Sequence, residues 1–192
     1  AMPGFIGKEL CPELVLVKPH YAKYKEASKQ AHSVFVEYDP DVRSYSLDEA
    51  SLDLTEYLLG QLRTSVESSG GVTDSDNTAE AEEKQTSGLD ISCARLAEMA
   101  RNVTDEIRRK VTERTSGLTC SAGIGPNRPL AKIGADMNKP DGTFSLLPAT
   151  RSSLLQFVAE LPVRKVSGIG KVSERLLQVL DVRKCGDLFQ QR

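Results

Sequence analysis

The feature that most restricts the fold is residues 64–90, a stretch with no hydrophobic pattern set between two stretches that have one. It is rich in Ser, Thr, Gly, Asp and Glu. Seven acids (Glu67, Asp74, Asp76, Glu80, Glu82, Glu83 and Asp90) stand against one base, Lys84. Such a composition cannot bury enough apolar area to offset the entropy of ordering it, so 64–90 reads as a disordered acidic insertion. The core must then be assembled from residues on either side of it.

On the N-terminal side, 3–11 reads as a short helix and the Leu-Val-Leu-Val run at 14–17 as a buried strand. Tyr21, Tyr24, Ala31, Phe35 and Tyr38 recur at spacings that fit one face of a helix, which Asp39-Pro40-Asp41 stops. Residues 42–55 alternate as two short strands around Asp48-Glu49-Ala50. Beyond the insertion, 91–114 is a helix with Leu96, Met99, Val103, Ile107 and Val111 on one face. A strand over 118–125, a helix over 127–137, a strand over 144–147 and a helix over 150–161 follow, the last with Thr150 as N-cap. Strand pairs and helices alternating in this way predict an α+β fold, with helices on one face of an antiparallel or mixed sheet. After Pro162 the pattern becomes compact and helical.

No stretch approaches the roughly 18 consecutive apolar residues of a membrane span. The opening Ala1-Met2-Pro3-Gly4 reads as the interior of a longer protein. Four dispersed cysteines without a C-x-x-C pair, and only two histidines, argue against a zinc site and for reduced, small core residues. The net charge of −2 averages unlike parts: without 64–90, 24 bases face 20 acids. Residues 127–192 hold 11 Lys and Arg against 6 Asp and Glu, so basic charge gathers where a phosphate-facing surface would use it.

Three constellations carry chemistry. In Ser46-Leu47-Asp48-Glu49-Ala50, adjacent carboxylates on a strand point to opposite faces, but at a strand end both can reach one divalent cation. Alone, such a pair is usually a solvated turn. In Val166-Ser167-Gly168-Ile169-Gly170-Lys171, Gly-Ile-Gly between helices is the turn of a helix–hairpin–helix, flanked by Lys165 and Lys171. Glycines let a phosphate approach the backbone, and the next helix offers free N–H groups; an ordinary glycine turn is the bland alternative. In Ala131-Lys132 and Asn138-Lys139-Pro140-Asp141-Gly142, a turn presents Lys139 either as a helix C-terminal charge or as a phosphate clamp.

These pieces, in this order, resemble the Y-family (DinB/UmuC) lesion-bypass DNA polymerases. Ala1-Met2-Pro3-Gly4-Phe5 resembles the end of the fingers, and Ser46-Leu47-Asp48-Glu49-Ala50 the second palm motif. Cys120-Ser121-Ala122-Gly123-Ile124-Gly125-Pro126-Asn127 with Asn138-Lys139-Pro140-Asp141-Gly142 resembles the palm strand and the helix behind it. Residues 161–172 resemble the thumb hairpin. The resemblance implies fingers and palm entry at 1–17, palm at 18–148 and thumb at 149–192.

It further implies translesion DNA synthesis by two-metal nucleotidyl transfer. Asp48 and Glu49 would be catalytic and bind Mg²⁺ (two ions, with Mn²⁺ as substitute), and Lys139 and Met2 would bind the nucleotide. Lys165, Gly168, Ile169, Gly170 and Lys171 would bind DNA. The implied partners are primer–template DNA, deoxynucleoside triphosphates, and a sliding clamp and other bypass factors; the implied compartment is the nucleus. The family's first metal-binding Asp and its further DNA-gripping domain match no position of 1–192, so the chain is expected to be a partial core, inactive alone. Ser51 stands where the family has Tyr. The rival expectations are a non-catalytic DNA-binding scaffold with a degenerate palm, and a nucleotide cyclase, against which the hairpin counts.

Overall fold

The computed structural model describes residues 2–68 and 82–190. Its core lies between two helices, α2 (Tyr21–Phe35) and α4 (Glu82–Arg114). On α4, Ala100, Val103, Ile107 and Val111 are buried at spacings of three and four, the stripe that one helix face presents to a neighbour. They pack against Val34 of α2, Tyr38 just beyond it, and Leu58 of α3 (Thr55–Ser68). Polar groups seal the same seam. The Tyr38 hydroxyl donates to Glu106 (2.7 Å), while Lys110 Nζ reaches Glu37 (3.0 Å) and Glu106 (3.2 Å), and Arg114 also reaches Glu37 (3.0 Å). The hydrogen bond with Tyr38, then that with Glu37, holds the Lys110 ammonium above its ordinary pKa.

Two small sheets sit on this pair of helices. Strands β1 (Arg43–Ser44) and β2 (Ala50–Ser51) pair antiparallel, Arg43 opposite Ser51, with the turn 45–49 between them. Strands β3 (Ala122–Ile124) and β4 (Thr143–Ser145) pair in parallel, joined across helix α5 (Arg128–Ala135). A crossover helix is what parallel neighbours require. Here it lies so close that a Cβ at Gly123 would sit 1.9 Å from the Ala131 carbonyl oxygen. Asn127 caps α5 by accepting from the Leu130 N–H at 3.1 Å. Arg108 of α4 ties both sheet strands down, donating to Cys120 O (2.8 Å), Thr143 Oγ1 (3.0 Å) and Asp141 Oδ1 (2.6 Å).

The C-terminal helices are α6 (Arg151–Glu160), a 3-10 turn (Val163–Lys165), α7 (Lys171–Val179) and α8 (Cys185–Gln190). Thr150 and Ser153 form the capping box of α6. Leu161, Val163 and Val182 are buried between these elements, and the Val163 N–H donates to Arg183 O at 3.0 Å. Phe157 of α6 stacks on Phe144 of β4, ring centroids 6.2 Å apart.

The structure corrects the sequence reading in several places. Residues 14–17 form no strand and are not buried: Val15, Leu16 and Val17 are 78%, 61% and 83% exposed, and no described strand pairs with them. Pro12 and Pro19 bracket the run, and a proline supplies no N–H to a ladder. The expected single sheet is two separate two-stranded sheets, one antiparallel and one parallel. The strands expected over 118–125 and 144–147 shorten to three residues each. Helix α3 was not foreseen; Asp53 starts it by accepting from the Thr55 N–H (3.0 Å). Of the stretch 64–90, α3 covers residues through Ser68 and α4 begins at Glu82, so both ends are helical, continued from helices that pack elsewhere. The middle of that expectation, 69–81, lies outside the described residues. Cys11 and Cys93 are exposed instead of in the core. Among the described residues no helix is long and apolar enough to cross a membrane.

Candidate active site

The turn 45–49 places the two acids differently. Asp48 is exposed at its tip and accepts the Ser46 hydroxyl at 2.5 Å. Glu49 is half-buried, its backbone closes the turn (Tyr45 N–H to Glu49 O, 3.0 Å), and its carboxylate is ion-paired with Lys132 of α5. One helical turn before Lys132, the Arg128 guanidinium stacks on the Tyr45 ring, 3.3 Å from its centroid. Helix α5 therefore grips the turn on both flanks of Asp48 through residues four apart on one face.

The same face continues. Asp136 follows Lys132 by four residues and pairs with Lys139 at 2.6 Å. That hydrogen bond lowers the Asp136 pKa, helped by the charges of Lys139, Lys165 and Lys132. Lys139 is raised by its bond to Asp136, and the negative charges of Glu49 and Asp48 add to the effect. The charges of Glu49 and Asp48 thus reach Lys139, and those of Lys132 and of Lys165, on the 3-10 turn, reach Asp136. The fold that achieves this is the short β3–α5–β4 crossover, whose return turn at Asp141 is pinned by Arg108.

Of the residues singled out in the sequence, Asp48 and Glu49 lie near enough to Lys139 for their charges to act on it, and Lys165 near enough to act on Asp136. Met2 stands apart: it is 61% exposed at the start of helix α1 (Gly4–Leu10), and no described contact joins it to these residues. Gly168, Ile169 and Gly170 form the loop into α7, and Lys171 is the first residue of that helix. Gly168 has φ +98°, which favours glycine, and the space a side chain would take at Gly168 and Gly170 is open. Gly170 caps α7 without a side-chain bond, leaving the first N–H groups of that helix to solvent. The sequence reading gave no role to Lys132, Asp136, Tyr45 or Arg128. The row Arg128, Lys132, Asp136 at intervals of four was the signal that could have found three of them.

Asp48 and Glu49 are hard oxygen donors suited to Mg²⁺. Among the described residues no group of three or more His, Cys, Asp or Glu side chains is placed to hold a metal ion. The acids also border a cleft of about 440 Å³ between α2, the turn, the end of α4 and the segment 118–120, lined by Ala31, Phe35, Leu47, Val111 and Cys120. Burial pushes the Cys120 thiol up, away from thiolate reactivity.

Comparison with known proteins agrees with this architecture. The chain is 34% identical over 232 residues to DNA polymerase kappa of Mus musculus, covering 100% of this chain and 27% of the relative. It is 35% identical over 190 residues to DNA polymerase IV of Stenotrophomonas maltophilia strain K279a, covering 99% of this chain and 41% of that one. The chain thus spans between about a quarter and two-fifths of these curated relatives. The crystal structure of DinB from Sulfolobus solfataricus superposes with a TM-score of 0.70 at 24% identity, over 100% of this chain and 45% of that one, which establishes a common fold. The model of the impB/mucB/samB family matches residues 1–136, and the chain belongs to that family.

Proposed function

We propose that this chain is part of a DNA-directed DNA polymerase that copies past damaged bases, with 18–148 as its palm, 1–17 the end of its fingers and 149–192 its thumb. The observation that supports the reading is that Asp48 and Glu49 stand on a turn held by α5 through the Glu49–Lys132 ion pair and the Arg128–Tyr45 stack, with the Lys139–Asp136 pair at the end of the same helix. The names of the relatives support it.

In this reading Asp48 and Glu49 would hold Mg²⁺. Bound there, the metal supplies charge neutralisation at the attacking and leaving oxygens of nucleotidyl transfer. The chain's own residues do the rest. Lys139 would leave Asp136 to hold the triphosphate of the incoming nucleotide. Lys165, Lys171 and the backbone at Gly168 and Gly170, with Ile169 held between them by Val166 and Arg164, would grip DNA phosphates, helped by the positive end of α7. In a eukaryotic cell such work would place the whole polymerase in the nucleus, with a sliding clamp and other bypass factors as its partners.

Two measurements test this. The chain should bind two unrelated primer–template duplexes alike, with log K falling against log salt at a slope of about −2 to −4. Exchanged for the matching span of polymerase kappa, it should support Mg²⁺-dependent primer extension, which Asp48→Ala should cut by at least about 100-fold, the scale of a lost metal contact. The 192-residue chain alone, with two of the expected carboxylates, should not extend primers. DNA binding by an exchanged enzyme that folds but extends nothing would favour the scaffold reading instead.

A further inference from the structure

We propose that Lys132 is the resident counter-charge of the metal site: its ammonium holds the Glu49 carboxylate while no divalent cation is bound, and passes to Asp136 when one arrives. The inference rests on the metal-binding reading of Asp48 and Glu49.

The two acids are not equally prepared for a cation. Asp48 is exposed, and among the described residues only the Ser46 hydroxyl and no base occupies its carboxylate. Glu49 is already engaged, since Lys132 Nζ sits on Oε1. A divalent ion bound by both residues would take Oε1 or sit on Oε2 beside it, and in either case a +1 charge in contact with the carboxylate opposes the arrival of a +2 charge. Exchange is cheap in this setting. The side chains of Lys132 and Glu49 are 40% and 38% exposed, so neither would be left stranded in a dry interior.

A released Lys132 has somewhere to go. Asp136 lies one helical turn further along α5, at the i, i+4 spacing that suits an ion pair, and it already feels the Lys132 charge. Its present partner is Lys139, at 2.6 Å. Recruitment of Lys139 to a triphosphate would vacate Asp136 as the metal vacates Lys132, so one carboxylate serves two lysines in turn. The helix that carries the exchange is itself fixed: Ile133 and Gly134 are buried beneath it, and Arg128 is anchored on Tyr45. Side chains can therefore swap partners without moving the turn.

The test is Mn²⁺ titration of the 192-residue chain, without DNA or nucleotide, read as paramagnetic broadening of the Asp48 and Glu49 amide signals. Lys132→Met should tighten Mn²⁺ binding about two- to fivefold at low salt, the size of one exposed ion pair. The gain should shrink in concentrated KCl, and Lys132→Arg should behave as the unaltered chain. Binding that is unchanged or weaker in Lys132→Met, with unchanged thermal midpoint, overturns the proposal. Should that variant fail to fold, Mg²⁺ titration of the unaltered chain decides: the Lys132 ε-methylene and Glu49 γ-methylene signals should shift with one apparent constant, and a Lys132 signal that stays still overturns the exchange. Absence of broadening at Asp48 in every protein sinks the metal-site reading itself, whereas broadening that ignores Lys132 sinks only the exchange.

Discussion

The body built on α2 and α4 and the group of helices α6–α8 both present charged residues to the Asp136–Lys139 pair, but from unlike foundations. In the body, seven side chains from three segments close one core, and Arg108, 18% exposed, holds Cys120 beside β3, Thr143 of β4 and the turn at Asp141 while also pairing with Asp105 of its own helix. In the C-terminal group three residues are buried, and α7 turns Val172, Leu176 and Val179 outward at 74%, 64% and 81% exposure. The difference has a functional reading. Two-metal chemistry would demand fixed carboxylates, and the two acids proposed for it stand on the well-packed part; the proposed phosphate grip needs only backbone and charge, and stands on the thinly packed one.

The sharpest way to break this contrast is to truncate an apolar side chain in each part. Ile107→Ala, in the body core, should cost about 2–5 kcal/mol of unfolding free energy, the usual range for a large buried residue. Leu176→Ala, on α7, should stay within about 0.5 kcal/mol. Urea denaturation measures both, and comparable losses would mean that the exposed face of α7 is packed in solution.

A smaller effect separates structural cations from exchangeable ones. Arg108→Leu strips donors from Cys120 O, Thr143 and Asp141 together, and should cost about 1–3 kcal/mol, the penalty for part-buried acceptors left unpaired. Lys132→Met, in a half-exposed pair, should change the thermal midpoint by no more than about 2 °C. A larger loss in Lys132→Met than in Arg108→Leu would reverse their assignments.

The elements legible in the sequence were those that local chemistry decides. The stripe from Leu96 to Val111 announced α4, Thr150 its cap on α6, and Pro-Asp-Gly the turn after Lys139. What misled was pairing. The 14–17 run has strand composition, but strand formation depends on a partner that no local pattern specifies. Likewise β1/β2 and β3/β4 alternate as one sheet would, and nothing local says that their edges stay apart. At the site, Asp48 and Glu49 were visible as an unusual pair on an apolar background. Lys132 was visible only as a lysine in a helix, because its role comes from a contact across 83 positions of sequence.

The smallest predicted effect compares how the two parts hold their acids. Tyr38 and then Lys110 lower the Glu106 pKa, and Lys110 lowers that of Glu37, from an ordinary value of 4.5. Asp187, in the C-terminal group, is lowered mainly by the backbone N–H groups of Lys184 and Arg183. A carboxylate with a depressed folded-state pKa stabilises the fold above its unfolded value, and that contribution disappears as pH falls through the folded value. Stability of the unaltered chain should therefore decline as pH drops below about 4.5, with the unfolded state taking up the extra protons first. Lys110→Met removes the side chain that holds Glu37 and helps hold Glu106, so this decline should flatten by the equivalent of less than about one proton. Lys184→Met leaves both backbone donors to Asp187 in place and should keep the slope. Urea denaturation at a series of pH values from 6 to 3 reads both. Equal flattening by the two substitutions would show that Asp187 depends on the Lys184 ammonium, and that the C-terminal group is held by side-chain charge after all.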